Sequence, residues 1–155
     1  MKHPELGQQR QAIDSLFKRT RDACGGDVEM MAHWARYLCV LCAGFLENAL
    51  TAVYSDYCRG KASVPVANFA VRALEQISNP KTKRFLETAA AFRAEWKHEL
   101  ETFVDENGRR DAIDSIMNNR HLIAHGGRSD VTVSRLSGYW SRSVQVVEFI
   151  EGQCS

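Results

Sequence analysis

The run MAHWARYLCVLCAGFLENALTAVYSDYCRG, Met31 to Gly60, decides the fold. Within it Met31, Ala35, Leu38, Cys42, Phe45, Ala49 and Val53 advance by fours and threes, the stripe that one face of an α-helix presents. Leu41, Leu46 and Leu50 widen that stripe, so the spacing predicts one long central helix ending near Arg59-Gly60. Its most apolar part, Tyr37 to Leu46, closes on Glu47-Asn48 after ten residues, short of the roughly 20 that span a bilayer. A buried helix is expected there, and no membrane partner.

The flanks read the same way. Ile13, Leu16 and Phe17 mark a first amphipathic helix that stops near Cys24-Gly25-Gly26, where glycine supplies left-handed C-cap geometry. After the long helix, Ser63 and Pro65 open a short one carrying Val66, Ala70, Ala73 and Ile77. Asn79-Pro80 ends it and starts the next, whose stripe Phe85, Ala89, Phe92, Trp96 and Phe103 continues to Asn107-Gly108. Two more helices are expected, from Arg109 to about His125, closed by Gly126-Gly127, and from about Ser134 to Glu151. Strand-like alternation occurs only in Val131-Thr132-Val133, too short to found a sheet. The expectation is an all-α fold over residues 1–155 as a single domain, a four- to five-helix up-and-down bundle with short extra helices.

Composition bounds the function. An apolar content of 45% in 155 residues can fill one core, and 20 Lys+Arg against 19 Asp+Glu leave a net charge of +1. A strongly basic nucleic-acid coat and an acidic solvating tail are both excluded, so any contact with RNA or DNA must come from a local patch. Five cysteines with no signal peptide ahead of them lead to reduced thiols and a cytoplasmic location as the expectation. Cys39-x-x-Cys42 lies inside the apolar helix without the strand-to-helix setting of a redox motif, and no second pair completes a zinc site. Buried thiols are expected.

The chemistry gathers in Asn118-Asn119-Arg120-His121-Leu122-Ile123-Ala124-His125-Gly126. Ile113, Ile116 or Met117, Arg120, and Ile123 or Ala124 share a helical stripe, so a guanidinium replaces an apolar residue on the packing face. It must meet a carboxylate, a backbone carbonyl, an anionic ligand or solvent in a cleft, and Glu47, stranded mid-helix, is a candidate partner. His121 and His125, four apart, share the last turn. They have two-ligand metal spacing but no intervening glutamate and no evident third ligand, so neither metal nor cofactor is expected. A permanent cation able to grip phosphate and an imidazole that exchanges protons near neutral pH are the two functions needed to cleave RNA through its own 2′-hydroxyl. One imidazole does not readily serve as both base and acid.

Arg120 to His125 resembles the R-x4–6-H signature of the HEPN superfamily, and the string Asn119 to Gly126 looks like its RiboL-PSP branch. The resemblance implies a HEPN-like helical bundle, a homodimer, and a metal-independent endoribonuclease whose two motifs meet across the dimer interface. It makes Arg120 and His125 catalytic and His121 an auxiliary, with Asn119 and Glu47 as supporting residues. It further implies a toxin or defence effector, in some cases with a nucleotidyltransferase-type antitoxin. The alternatives are a catalytically inactive HEPN-fold RNA- or nucleotide-binding protein, and a structural adaptor in which Arg120 pairs internally. Lys81, Lys83, Arg84, Arg109, Arg110, Arg128, Arg135 and Arg142 are candidate phosphate contacts, set against the acidic Glu99, Glu101, Asp105 and Glu106. Tyr54, Tyr57, Tyr139 and Trp140 are the aromatics expected to be available for stacking bases.

Overall fold

The long stripe becomes the hub of the computed structural model, which describes residues 1–155. In chain order the helices are α1 (Pro4–Cys24), α2 (Val28–Lys61), α3 (Val64–Leu74), α4 (Thr82–Phe92), α5 (Ala94–Asp105), α6 (Arg109–Ala124) and α7 (Val133–Gln153). The chain is 81% helical and has no strand. One core of 35 buried residues draws on all seven helices, and α2 touches α1, α3, α6 and α7. An 18-residue window of α2 has a mean hydropathy of 1.5, long and apolar enough by composition alone to cross a membrane. Yet 61% of that window is buried inside the protein, the setting of a core helix.

The ends obey capping chemistry. Gly25 closes α1 in the left-handed region at φ 50°, and Asp27 opens α2 by accepting the Met30 amide at 3.0 Å. Thr132 accepts the Arg135 amide at 3.2 Å and starts α7, so the β-branched run Val131-Thr132-Val133 enters a helix. Glu151, buried near the other end of α7, accepts the backbone amides of Lys2 at 2.9 Å and His3 at 3.0 Å. Trp140 Nε1 donates to Asp14 at 2.6 Å. These two contacts lay α1 antiparallel on α7.

One expected element divides. The stripe from Pro80 to Asn107 is two helices, broken at Arg93, whose backbone is extended at φ −152° and ψ 135°. Neither proline nor glycine causes the break. Phe92 stacks on Tyr54 at 4.8 Å, Trp96 meets Tyr57 edge-on at 5.1 Å, and the Arg93 guanidinium lies 5.2 Å from the Trp96 ring. That cluster lets α4 and α5 fold on each other and turns α5 against α6 and α7.

The turn between α3 and α4 is tied down by tertiary carboxylates. Asn79 has φ 48°, and its amide donates to Glu47 Oε2 at 2.6 Å. The Thr82 amide at the start of α4 donates to Asp114 of α6 at 2.8 Å. Two orphan amides thereby find acceptors in neighbouring helices.

Candidate functional site

Helix α6 runs antiparallel to α7, since Arg109 Nε at its start donates to Gln145 at 3.0 Å while a short link joins its end to Val133. Its packing face is Ala112, Ile113, Ile116 and Met117, all buried. The Cys39 thiol donates to the Ile116 carbonyl at 3.5 Å, one turn before Arg120. Burial pushes the Cys39 thiol up to about 12 and raises the Cys42 thiol as well, so both are protonated core groups.

Past Met117 the face opens. Arg120 is half-buried, and its side chain has no carboxylate within 4.0 Å and donates no hydrogen bond within the chain. His121 and His125 are exposed, with ring centroids 4.4 Å apart and planes at 57°. His125 is the C-cap at φ −96° and ψ 13°, and its amide still donates to the His121 carbonyl at 3.2 Å. A Schellman turn follows. The Gly126 amide donates to the Ile123 carbonyl at 3.2 Å and the Gly127 amide to the Leu122 carbonyl at 2.7 Å. Gly126 sits at φ 70°, and a Cβ on Gly127 would approach the Leu122 carbonyl to 3.1 Å. The two glycines therefore fix where the imidazole of His125 emerges.

A second clamp holds the link that follows. Asn119 Nδ2 donates to the Ser115 carbonyl at 2.8 Å, and its Oδ1 accepts from the Ser129 hydroxyl at 2.8 Å. Ser129 is buried. Asn119 thus ties the loop after His125 back to α6, a supporting role that acts through position. Ser129 is a partner that sequence reading missed; a serine in a short loop is a common local hydrogen-bonder, but nothing in the spacing names a residue ten positions back. Ser129→Ala should leave the Asn119 carbonyl without its donor, destabilise the fold by about 1 kcal/mol, and slow any reaction at His125 by about tenfold through misplacement. Thermal melting and single-turnover rates check both.

Glu47 is not the partner of Arg120. It caps the Asn79 turn instead, because an amide at a left-handed residue next to α2 has no other acceptor and a carboxylate takes it readily. Glu47→Ala should cost about 1–3 kcal/mol of stability and leave the chemistry at Arg120 unchanged, read from the melting midpoint and the rate on the same sample.

Two of the four aromatics considered for base stacking belong to the core. Tyr54 is fully buried and Trp140 is 4% exposed, packed edge-on against Phe45 at 4.9 Å. Tyr57 is half-buried in the α4–α5 cluster, which leaves Tyr139. Most candidate phosphate contacts are also engaged. Lys83 and Arg84 lie 3.8 and 3.7 Å from Glu87, Arg110 lies 2.6 Å from Asp105, and Arg109 donates to the Phe103 carbonyl while covering its ring at 3.8 Å. No group of three or more His, Cys, Asp or Glu side chains is placed to hold a metal ion.

The arrangement is thus a free guanidinium and a close imidazole pair at a helix end built by two glycines. A family model described as RiboL-PSP-HEPN matches residues 8–155, the whole bundle with the motif inside it. The chain belongs to that family. No curated protein and no solved structure gives a significant match. Membership in the RiboL-PSP-HEPN family accords with the all-α bundle and suggests a ribonuclease or nucleotide-binding role. The string Arg120 to His125 spans the last turn of α6, with Arg120 inside the helix and His125 at its C-cap.

Proposed function

We propose that this RiboL-PSP-HEPN chain is a metal-independent endoribonuclease whose active site is completed by a second copy of the chain. One observation carries the proposal: Arg120 is a half-buried guanidinium with no protein partner, and the same helix end carries an exposed pair of imidazoles. A guanidinium that no protein group occupies is open to an anion, and a phosphodiester supplies two oxygens in the plane that a guanidinium matches.

In the reaction, the imidazole of His125 takes the proton of a ribose 2′-hydroxyl. The 2′-oxygen attacks the adjacent phosphorus, Arg120 stabilises the charge on the equatorial oxygens, and the bond to the 5′-oxygen breaks as a second imidazole delivers a proton to it. The products are a 2′,3′-cyclic phosphate and a 5′-hydroxyl.

A single chain fits this scheme poorly. Arg120 and His125 are five positions apart, about 140° round a helix of 3.6 residues per turn, whereas His121 and His125 share one side. Two copies related by a two-fold axis along this end of α6 would set the guanidinium of one against the imidazoles of the other. Leu122, 43% exposed in the same turn, is apolar surface that such a contact covers. In this reading the protein is a cytoplasmic toxin or defence effector, and a nucleotidyltransferase-type antitoxin is the partner that restrains it.

Incubating the purified chain with labelled RNA in EDTA and identifying the ends tests the chemistry. Cleavage to cyclic phosphate and 5′-hydroxyl ends is expected. Cleavage that stops in EDTA and returns with Mg²⁺ refutes the mechanism, and RNA retained without cleavage shows a binding module.

A further inference from the structure

Between Ser115 and Val147 the chain carries four arginines, Arg120, Arg128, Arg135 and Arg142, and one carboxylate, Asp130. Arg128 and Asp130 meet at 3.7 Å with both side chains 90% exposed, a pair that contributes little. Arg135 and Arg142 have no carboxylate within 4.0 Å and donate no hydrogen bond from their side chains. They are separated by seven positions, two turns of α7, or about 10 Å at 1.5 Å per residue. Tyr139 lies between them on the same side of the helix, half-buried, its lower edge packed on the core.

The Arg142 end of this stripe reaches the start of α6. A Cβ on Gly108 or Gly138 would stand 3.5 or 3.7 Å from the Arg142 guanidinium, an ordinary contact that places the fork against the start of α6 and one turn back on α7. Because α7 is antiparallel to α6, Arg135 stands near the Arg120–His125 end and Arg142 near the start of α6. Beyond Gly108 the acidic end of α5 begins, at Asp105 and Glu106, and sets a limit to the positive surface.

We infer that Arg135, Tyr139 and Arg142 form a track along α7 that carries single-stranded RNA away from the Arg120–His125 motif, two phosphate-gripping guanidiniums flanking a ring on which a base stacks. The inference rests on the ribonuclease reading for its ligand. The spacing alternates cation, π-face and cation along one helix, the combination by which proteins hold single strands without reading sequence. Two phosphate contacts outside the reacting one also supply binding energy that a chain of net charge +1 cannot gain from its overall field.

The test uses the full chain carrying His125→Ala, so that RNA survives, and a short fluorescein-labelled single-stranded RNA in EDTA over a KCl series, read by anisotropy. The double variant Arg135→Gln/Arg142→Gln should lower the slope of log affinity against log salt by about 1.4, roughly 0.7 per lost phosphate contact on a single strand. Lys83→Gln, on α4 and off the α7 stripe, should leave the slope unchanged. Tyr139→Ala should weaken binding on the order of tenfold without altering the slope, and Tyr139→Phe, which keeps the ring, should bind as the parent does. A double variant whose slope matches that of Lys83→Gln overturns the track, as does the absence of RNA binding by the parent. The nuclease reading stands or falls separately: a native chain that cuts RNA while the slope is unmoved loses only the track, and a chain that shows the slope change but never cuts loses only the nuclease.

Discussion

His125→Ala is expected to slow RNA cleavage by about 10²–10⁴, the loss typical of removing a general acid or base. The side chain is exposed at the C-cap of α6 and makes no structural hydrogen bond, so the helical content and melting temperature should stay those of the parent. RNA affinity should be nearly unchanged, because the proton-transfer group contributes in the transition state and little in the ground state. The rate constant at saturating RNA therefore falls while the apparent affinity holds. A variant cutting at the parental rate would remove His125 from the chemistry.

Arg120→Lys should cost on the order of 10²–10³ in the same rate, comparable to deleting a donor to a developing oxyanion. Charge is kept, but an ammonium cannot offer two parallel N–H groups to two phosphate oxygens. The structural adaptor alternative is tested by the same variant. Arg120 contacts no carboxylate, so there is no internal pair to break, and the lysine chain should melt within a degree or two of the parent, roughly 0.5 kcal/mol for a surface change. Full activity would show that Arg120 meets no phosphate.

The readable parts of the fold were those whose causes are local. Gly25 stops α1 and Gly126-Gly127 stops α6 through left-handed C-cap geometry, and the apolar stripe of α2 survives intact because that helix is buried on several sides at once. The break at Arg93 was not readable. It comes from Phe92, Trp96, Tyr54 and Tyr57 meeting in space, and the last two lie some forty positions earlier in the chain. Glu47 illustrates the same boundary. A carboxylate stranded in an apolar helix suggested Arg120 as its partner, but its donor is the amide of Asn79, whose left-handed backbone a helical periodicity cannot foresee.

At the proposed site, Arg120, His121 and His125 stood out by residue type and spacing, a permanent cation and two imidazoles at a helix end. Their positioning did not. Ser129 was invisible because its partnership with Asn119 depends on how the loop folds back, and Tyr54 and Trp140 passed as surface candidates until the register of α2 and α7 turned them inward. The sequence also offered eight candidate phosphate contacts, and only the ion pairs to Glu87 and Asp105 and the contacts of Arg109 sort the engaged ones from those still free.

The composite site is tested most directly by the cleavage rate per chain over a dilution series in EDTA, with the mass of the species measured on the same samples. The rate should fall as dimers dissociate and follow the dimer fraction throughout, with cyclic phosphate ends at every concentration. A monomer that cuts RNA at full rate would contradict it and leave His121 as the only second imidazole available to the reaction.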